Sequence, residues 1–131
     1  MGRRDVILEN YTEKRRHPRV SFQAKVALKA ADTLEENEAD DPLKNEIHAD
    51  SADISVTGVQ VVSKVLLPPG RMLRMEIMVP EEPMPVVTFG RVEWCFSDSK
   101  KEGIWKSGVN FELLHPDHTK LLKKLTGETT L

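Results

Sequence analysis

The feature that most constrains the fold of this 131-residue chain is its repeated alternation of apolar and polar residues. A period of two is typical of β-strands that turn one face to a core and the other to solvent. In the longest example, Val92 and Trp94 fall on one face, and Arg91 and Glu93 on the other. Turn-forming Pro and Gly residues separate the alternating segments. The pattern predicts six strands, which begin near Val20, Ala52, Val59, Leu73, Val86 and Ile104.

A helical pattern follows the last strand. Pro116 suits the first turn of a helix, where its fixed φ fits and its missing N–H is not needed. Leu121, Leu122 and Leu125 then form an apolar stripe at helical spacing, and Gly127 is suited to end the helix. Six short strands and one helix predict an all-β fold with a C-terminal helix, namely a six-stranded antiparallel β-barrel.

Composition excludes several classes of protein. The single cysteine, Cys95, cannot form an intrachain disulfide or a cysteine-rich zinc site, so a reducing, cytoplasmic location is expected. No apolar stretch approaches the ~18 residues of a membrane span, and the run Val6–Leu8 is too short for a signal peptide. The net charge of −2 argues against a protein whose whole surface binds nucleic acid, so nucleic acid is not an expected partner.

The sequence contains no recognisable catalytic motif. It has no Gly-rich phosphate loop, no HExxH motif and no nucleophile elbow, and its carboxylates suggest no catalytic pair. His115 and His118 are three residues apart, but no third ligand is near in sequence, so they are interpreted as surface residues. We therefore expect a binding protein rather than an enzyme, with no metal and no cofactor.

The near-neutral net charge of the chain conceals two oppositely charged segments. Residues 1–30 hold eight basic and three acidic residues, a net charge of +5, whereas residues 31–50 hold one basic and eight acidic residues, a net charge of −7. The segment 31–48 is interpreted as a solvated acidic insertion, because such a composition buries little apolar surface. A second interpretation is a competitor that covers the basic segment when no ligand is bound.

The first candidate binding motif is the basic run just before the first strand. Pro18 disfavours a helix at this point, so Arg15 and Arg19 are expected to lie in an extended or curved loop. Each guanidinium group can pair bidentately with a phosphate or with the O6 and N7 atoms of guanine. A merely solubilising or RNA-adhering tail is the alternative. The candidate ligand-binding residues in this run are Lys14, Arg15, Arg16 and Arg19.

The second candidate motif is the sequence from Asp53 to Gly58, in which Asp53 and Ser55 are predicted to share one face of a strand. A carboxylate can accept hydrogen bonds from N1–H and N2–H₂ of guanine, and a hydroxyl can donate to a phosphate. Gly58 allows a positive φ or the close approach of a ligand. The alternative is a strand end in which Ser55 and Thr57 hydrogen bond locally.

Together, in this order, the two motifs resemble those of the PilZ domain family, bacterial receptors for cyclic di-GMP. The family patterns are RxxxR in an N-terminal loop and [D/N]xSxxG further along, and Arg15, Arg19, Asp53, Ser55 and Gly58 fit them. The segment 107–111 is similar to the closing-strand pattern of the family. The resemblance implies a six-stranded PilZ-type barrel over 14–126, between a flexible arm at 1–13 and a tail at 127–131.

The resemblance also implies roles for residues. Arg15 and Arg19 would bind guanine edges and phosphates, Asp53 a guanine edge, and Ser55 a phosphate or a base, with Gly58 keeping the site open. Lys14 stands where many members that bind two nucleotides have arginine, and Arg16 is a candidate to compensate. The implied function is a cyclic di-GMP effector that signals to a protein partner when its basic loop is ordered on the barrel.

Two alternatives to the receptor function remain. The chain is either such a receptor, or a PilZ-like adaptor that has lost nucleotide binding, or a small RNA-binding barrel. Trp94, near the end of the fifth strand, is a candidate for stacking on a nucleobase at the barrel mouth, with packing at the core or rim as the alternative.

Overall fold

The computed structural model describes residues 20–31 and 41–127, and the predicted arm at 1–13 and the tail beyond Gly127 lie outside these ranges. Seven strands and one helix are present in the described ranges. They are β1 (Val20–Ser21), β2 (Lys25–Ala30), β3 (Ile47–Ile54), β4 (Gly58–Ser63), β5 (Met72–Met78), β6 (Val86–Ser97), β7 (Trp105–Leu113) and α1 (Pro116–Thr126).

Six of the strands form a closed antiparallel barrel, as the sequence predicts. The order around the barrel is β3, β2, β5, β6, β7 and β4, and β4 pairs again with β3 to close it. β1 is an additional strand that pairs with β3. Closure gives each strand of the ring two hydrogen-bonded neighbours, so the site described below is built on a fixed surface.

The interior of the barrel is aliphatic. Alternate residues of each strand point inward and exclude water, which is the main source of stability for a chain with few aromatic residues. Leu122 of α1 belongs to the same core, so the helix is packed on the barrel. The fully buried strand residues include Val26, Leu28, Ile54, Val61, Leu73, Met75, Ile77 and Val86.

The helix α1 begins and ends where the sequence predicts. His115 is the N-cap, and its Nδ1 accepts a hydrogen bond from the N–H of Asp117 at 3.1 Å. Gly127 adopts a left-handed conformation with φ of 77° and ends the helix. Within the described ranges, no helix combines the length and the apolar character needed to cross a membrane.

The first predicted strand is divided in two by the side chain of Ser51. The Ser51 hydroxyl donates to the carbonyl of Phe22 and accepts from the N–H of Ala24 at 2.8 Å, and these two bonds lie between the backbone bonds from Phe22 to Ala52 and from Ser51 to Ala24. β3 is irregular at the same place, between Ser51 and Asp53. Residues 22–24 therefore belong to neither strand, and β1 is separate from β2.

The acidic segment is folded in part, which differs from the expectation of a solvated insertion over 31–48. Leu43 is fully buried in the core, and its carbonyl accepts a hydrogen bond from Ala30 at 2.9 Å. Arg71 binds Asp41 through two contacts of 2.9 and 3.4 Å. β3 already begins at Ile47. Only residues 32–40 of the predicted insertion lie outside the described chain.

The two described ends of the acidic segment lie together at one end of the barrel. Ala31 and Asp41 lie at the barrel end where β3 begins, because Ala31 donates to Met72 and Asp41 binds Arg71 at the start of β5. Asp53 lies six residues further along β3 than Ile47, which is roughly 20 Å at 3.3 Å per residue. The described ends of the acidic segment, Ala31 and Asp41, thus lie at the opposite end of β3 from the second motif.

Candidate functional site

The second motif forms the end of β3 and the turn into β4. Ser55 is buried, and its Oγ accepts the N–H of Thr57 at 3.1 Å and lies 2.9 Å from the Thr57 hydroxyl. Its N–H donates to the carbonyl of Gly58 at 2.9 Å. Because β3 ends at Ile54, the strand alternation does not continue to Ser55. The local hydrogen bonding left open in the sequence interpretation is therefore present, and Ser55 holds the turn together.

Gly58 is required by the neighbouring strand. It pairs with Asn110 of β7, and a Cβ atom at position 58 would collide with the carbonyl oxygen of Val109. Gly58 is not among the residues with positive φ. The need for glycine here thus comes from close backbone approach of β7, which draws the motif turn onto the barrel wall.

Asp53 belongs to a row of cross-strand partners on the outer face of the barrel. It faces Ser21 of β1 on one side and Gln60 of β4 on the other, Gln60 faces Gly108 of β7, and Gly108 faces Trp94 of β6. Directly opposed residues point to the same side of a sheet. Asp53, Gln60 and Trp94 are half-buried, whereas the neighbouring Ile54, Val59 and Val109 are buried in the core.

The row brings two candidate residues from distant parts of the sequence to one surface. Three strand spacings of ~4.8 Å separate Asp53 from Trp94, or ~14 Å between their backbones. Gly108 lies between them without a side chain, and the Trp94 indole covers it, since a Cβ at position 108 would collide with Nε1 and Cε2 of the ring. We call this surface, formed by Ser21, Asp53, Gln60, Gly108 and Trp94, the outer row.

Trp94 lies on the outer face because the long strand is irregular. Between Val92 and Trp94 the pairing with β7 shifts, so that Val92 faces Val109 and Trp94 faces Gly108. Glu93 is the extra residue of this bulge. The prediction that Val92 and Trp94 share one face of the strand is therefore wrong. The alternation of apolar and polar residues in the sequence does not reveal that Glu93 is an extra residue in the strand.

Trp94 is joined on this surface by Phe96 and Lys106. Phe96 stacks on it with ring centroids 5.6 Å apart and an angle of 26° between the planes. Lys106 of β7 is the cross-strand partner of Phe96. The signal was present in the sequence, because Phe96 follows Trp94 by two residues and so shares its face.

The basic motif cannot be placed directly. Lys14, Arg15, Arg16 and Arg19 lie outside the described residues. The strand that follows them can be placed, because Val20 pairs with Ile54 and Ser21 with Asp53. Arg19 is bonded to Val20, and consecutive Cα atoms are about 3.8 Å apart. The chain thus leaves the described structure beside the Asp53 motif.

His115 and His118 lie at the start of α1. Their rings lie 5.8 Å apart, and His115 caps α1 as described above. Within residues 20–31 and 41–127, no group of three or more His, Cys, Asp or Glu side chains is arranged to hold a metal ion.

Sequence comparison identifies the family. The sequence profile of the PilZ domain matches residues 13–128. The chain therefore belongs to the PilZ domain family. No curated protein matches its sequence.

Solved structures of PilZ proteins share the fold. The Bacillus subtilis inhibitor of motility, MotI/DgrA, has a TM-score of 0.67 at 22% identity, over 86% of this chain and 49% of that protein. The PilZ domain of YcgR from Escherichia coli, solved with c-di-GMP, has a TM-score of 0.58 at 14% identity, over 87% and 89% of the two chains. The K. pneumonia MrkH–c-di-GMP complex gives 0.60 at 17% identity, over 85% and 49%. This chain spans about half the length of MotI and MrkH.

Proposed function

We propose that this PilZ protein is a receptor for cyclic di-GMP and that it acts by binding rather than by catalysis. Membership of the family and the two intact motifs support this function. The observation that carries it is the pairing of Val20 with Ile54 and of Ser21 with Asp53, because it brings the chain that directly follows the basic motif alongside the Asp53 motif. The strand that follows the basic motif and the Asp53 motif are separated by more than thirty residues in sequence and pair at one end of β3.

The chemistry of the two motifs suits the ligand. Cyclic di-GMP carries two phosphates and two guanines, and the guanidinium groups of Arg15 and Arg19 match both phosphate oxygens and the O6 and N7 acceptors of guanine. The Asp53 carboxylate accepts from the opposite guanine edge, which carries N1–H and N2–H₂. Lys14 and Arg16 add positive charge beside the phosphates.

Selectivity for guanine follows from the same contacts. Adenine presents a donor, N6–H₂, where guanine presents O6, so an arginine faces a repulsive contact. One bidentate pair discriminates between bases by ~1–3 kcal/mol, and two pairs would give a strong preference over cyclic di-AMP.

The roles of Ser55, Gly58 and Trp94 follow from their positions. Ser55 and Gly58 hold the Asp53 turn against β7, so we assign them to shaping the site. Trp94 lies on the same outer row as Asp53 and offers an aromatic surface on which a base can stack.

The signal to a partner would arise from the basic segment. Ligand that bridges the arginines and Asp53 fixes this segment on the outer face, a disorder-to-order step of the kind used by many switches. The surface thereby created or covered is the proposed contact for a protein partner.

Titration calorimetry tests the proposal. The full chain should bind cyclic di-GMP, and bind cyclic di-AMP and GTP at least tenfold more weakly. Absent binding, or equal binding of the three nucleotides, would contradict it and favour a nucleotide-independent adaptor.

A further inference from the structure

A large open cavity lies at the aromatic end of the outer row. It has a volume of about 790 Å³, within the range of small-molecule sites. It lies at the hairpin between β6 and β7, away from the turn that carries Ser55. Its lining residues are Trp94, Phe96, Ser97, Asp98, Lys100 and Lys106, together with Ser99.

One of the two aromatic rings in the cavity is unusually open for its size. Phe96 is 65% exposed, although it stacks on Trp94 and has a position on a barrel strand. An exposed phenyl group on a strand gains little from burial in the chain itself, and exposed aromatic surface is typical of binding sites. The stacked pair offers a planar partner a ready-made surface without rearrangement.

Lys106 supplies a cation beside these rings. It is exposed and faces Phe96 across the β6–β7 pairing. Among the residues that the structure describes, no carboxylate lies within ion-pair distance of its ammonium group. The charge of Lys106 also acts on the Asp98 carboxylate of the same cavity and helps to lower the pKa of Asp98. An aromatic surface beside a cation matches a nucleobase joined to a phosphate.

The wall of the cavity is held in place by the hairpin. The N–H of Asp98 donates to the carbonyl of Ile104 at 2.8 Å, and its carboxylate accepts the N–H of Lys100 at 2.8 Å. The bond from Lys100 is the main cause that lowers the pKa of Asp98. Lys100 is thus presented from an ordered turn, and Lys106 from the strand that follows it.

The spacing along the outer row distinguishes this cavity from the Asp53 end. Asp53 and Trp94 stand three strands apart on the outer row, with ~14 Å between their backbones. Cyclic di-GMP has two guanines on opposite sides of its ring, so a base held at Asp53 leaves a second base to be placed.

We propose that the cavity binds the second guanine of the same dinucleotide, stacked on Phe96 beside Trp94, with Lys106 paired to the adjacent phosphate. This inference rests on the proposed function and assigns Phe96 and Lys106 to its ligand site. It predicts one cyclic di-GMP for each chain, in contact with both ends of the outer row.

Calorimetry with cyclic di-GMP on Phe96→Ala and Lys106→Gln tests the assignment. Phe96→Ala should weaken binding by about fivefold or more, the effect of losing one base–aromatic stack. Lys106→Gln should weaken binding by about threefold and reduce its dependence on salt. The molar ratio should remain one in both variants.

Matched controls are available on β6 and on α1. Phe89→Ala removes another exposed phenyl from β6, where Phe89 faces Leu113, and Lys120→Gln removes an exposed cation from α1. Both controls should bind as the unaltered chain does. In a Trp105→Phe background, Trp94 alone reports fluorescence, and cyclic di-GMP should quench it along the same binding curve.

The outcomes separate the subsite from the function. If the unaltered chain binds cyclic di-GMP but Phe96→Ala and Lys106→Gln bind equally well, the subsite is overturned and the receptor function stands. A molar ratio that falls in Phe96→Ala at unchanged affinity also overturns it, because the cavity would then hold a separate nucleotide. If the unaltered chain does not bind, the receptor function and the subsite fail together.

Discussion

The indole ring of Trp94 lies over Gly108, its cross-strand partner, and occupies the space that a Cβ atom at position 108 would need. Glycine at this position lets the ring lie against the barrel surface instead of standing away from it. The orientation of the proposed stacking surface therefore depends on a residue that itself carries no side chain.

Gly108→Ala should displace the Trp94 ring. We expect an altered fluorescence spectrum in the Trp105→Phe background, and cyclic di-GMP binding weakened by about fivefold. The clash is with a side chain, so the double variant Gly108→Ala/Trp94→Ala should lose less stability than the sum of the two single changes. Additive losses in thermal unfolding would show that Trp94 does not depend on Gly108.

Asp53→Ala and Arg15→Ala should each weaken cyclic di-GMP binding by about tenfold, because each removes charged hydrogen bonds to a guanine or a phosphate. Calorimetry measures the loss. Asp50→Ala is the matched control, since Asp50 lies on β3 but forms an exposed ion pair with Lys25 at 3.0 Å. Unchanged affinity in Asp53→Ala would place the ligand elsewhere.

Ser55→Ala should act mainly on stability. It removes a buried hydroxyl that accepts the N–H of Thr57, and we expect the free energy of unfolding to fall by about 1 kcal/mol in denaturant titrations. Its effect on nucleotide affinity should be smaller than that of Asp53→Ala. Thr57→Ser keeps the hydroxyl partner and should be close to the unaltered chain. A full loss of binding in a stably folded Ser55→Ala would instead indicate a direct contact with the ligand.

Asp41→Asn should make stability less dependent on acid pH. The hydrogen bond from the Arg71 side chain, followed by that from the N–H of Leu43, lowers the pKa of Asp41 below its ordinary value of 3.8. The stabilisation is therefore complete above pH 3.8 and is lost as the pH falls toward the lowered pKa.

Unfolding measured at a series of pH values checks this expectation. At pH 7, Asp41→Asn should lower the free energy of unfolding by roughly 1–3 kcal/mol, and the difference should shrink below about pH 4. Asp50→Asn, in an exposed ion pair, should change it by less than about 1 kcal/mol. Equal effects of the two variants would show that Arg71 does not stabilise Asp41.

Leu43→Ala should destabilise the barrel by about 2–5 kcal/mol, as expected for a fully buried leucine. Leu66→Ala, at a residue that is 42% exposed, should cost less than about 1 kcal/mol. Thermal or denaturant unfolding compares the two. A small effect at Leu43 would restore the interpretation of this segment as a solvated insertion.

The sequence predicted the barrel because strand alternation and turn residues report directly on which faces are buried. The limits of that signal are equally physical. Leu43 is a single apolar residue among acidic ones, so it has no period that reveals its burial. The division at Ser51 depends on a side chain that enters the backbone pairing of a neighbouring strand, which local pattern does not encode.

The candidate site could be predicted only in part for the same reason. Asp53 was found through its motif, and Trp94 through its place near a strand end. Their relation through Gln60 and Gly108 depends on the register of four strands and on the bulge at Glu93. Lys106 was missed because it belongs to no motif, and only the strand pairing brings it beside Phe96.

β1 pairs with β3 but is not one of the six strands that close the barrel. The six-stranded ring therefore closes without a strand from the sequence before Phe22. That sequence is free to diverge in length and charge among descendants of this chain while the barrel stays intact. Changes before Phe22 can therefore alter the affinity for the nucleotide without destabilising the barrel.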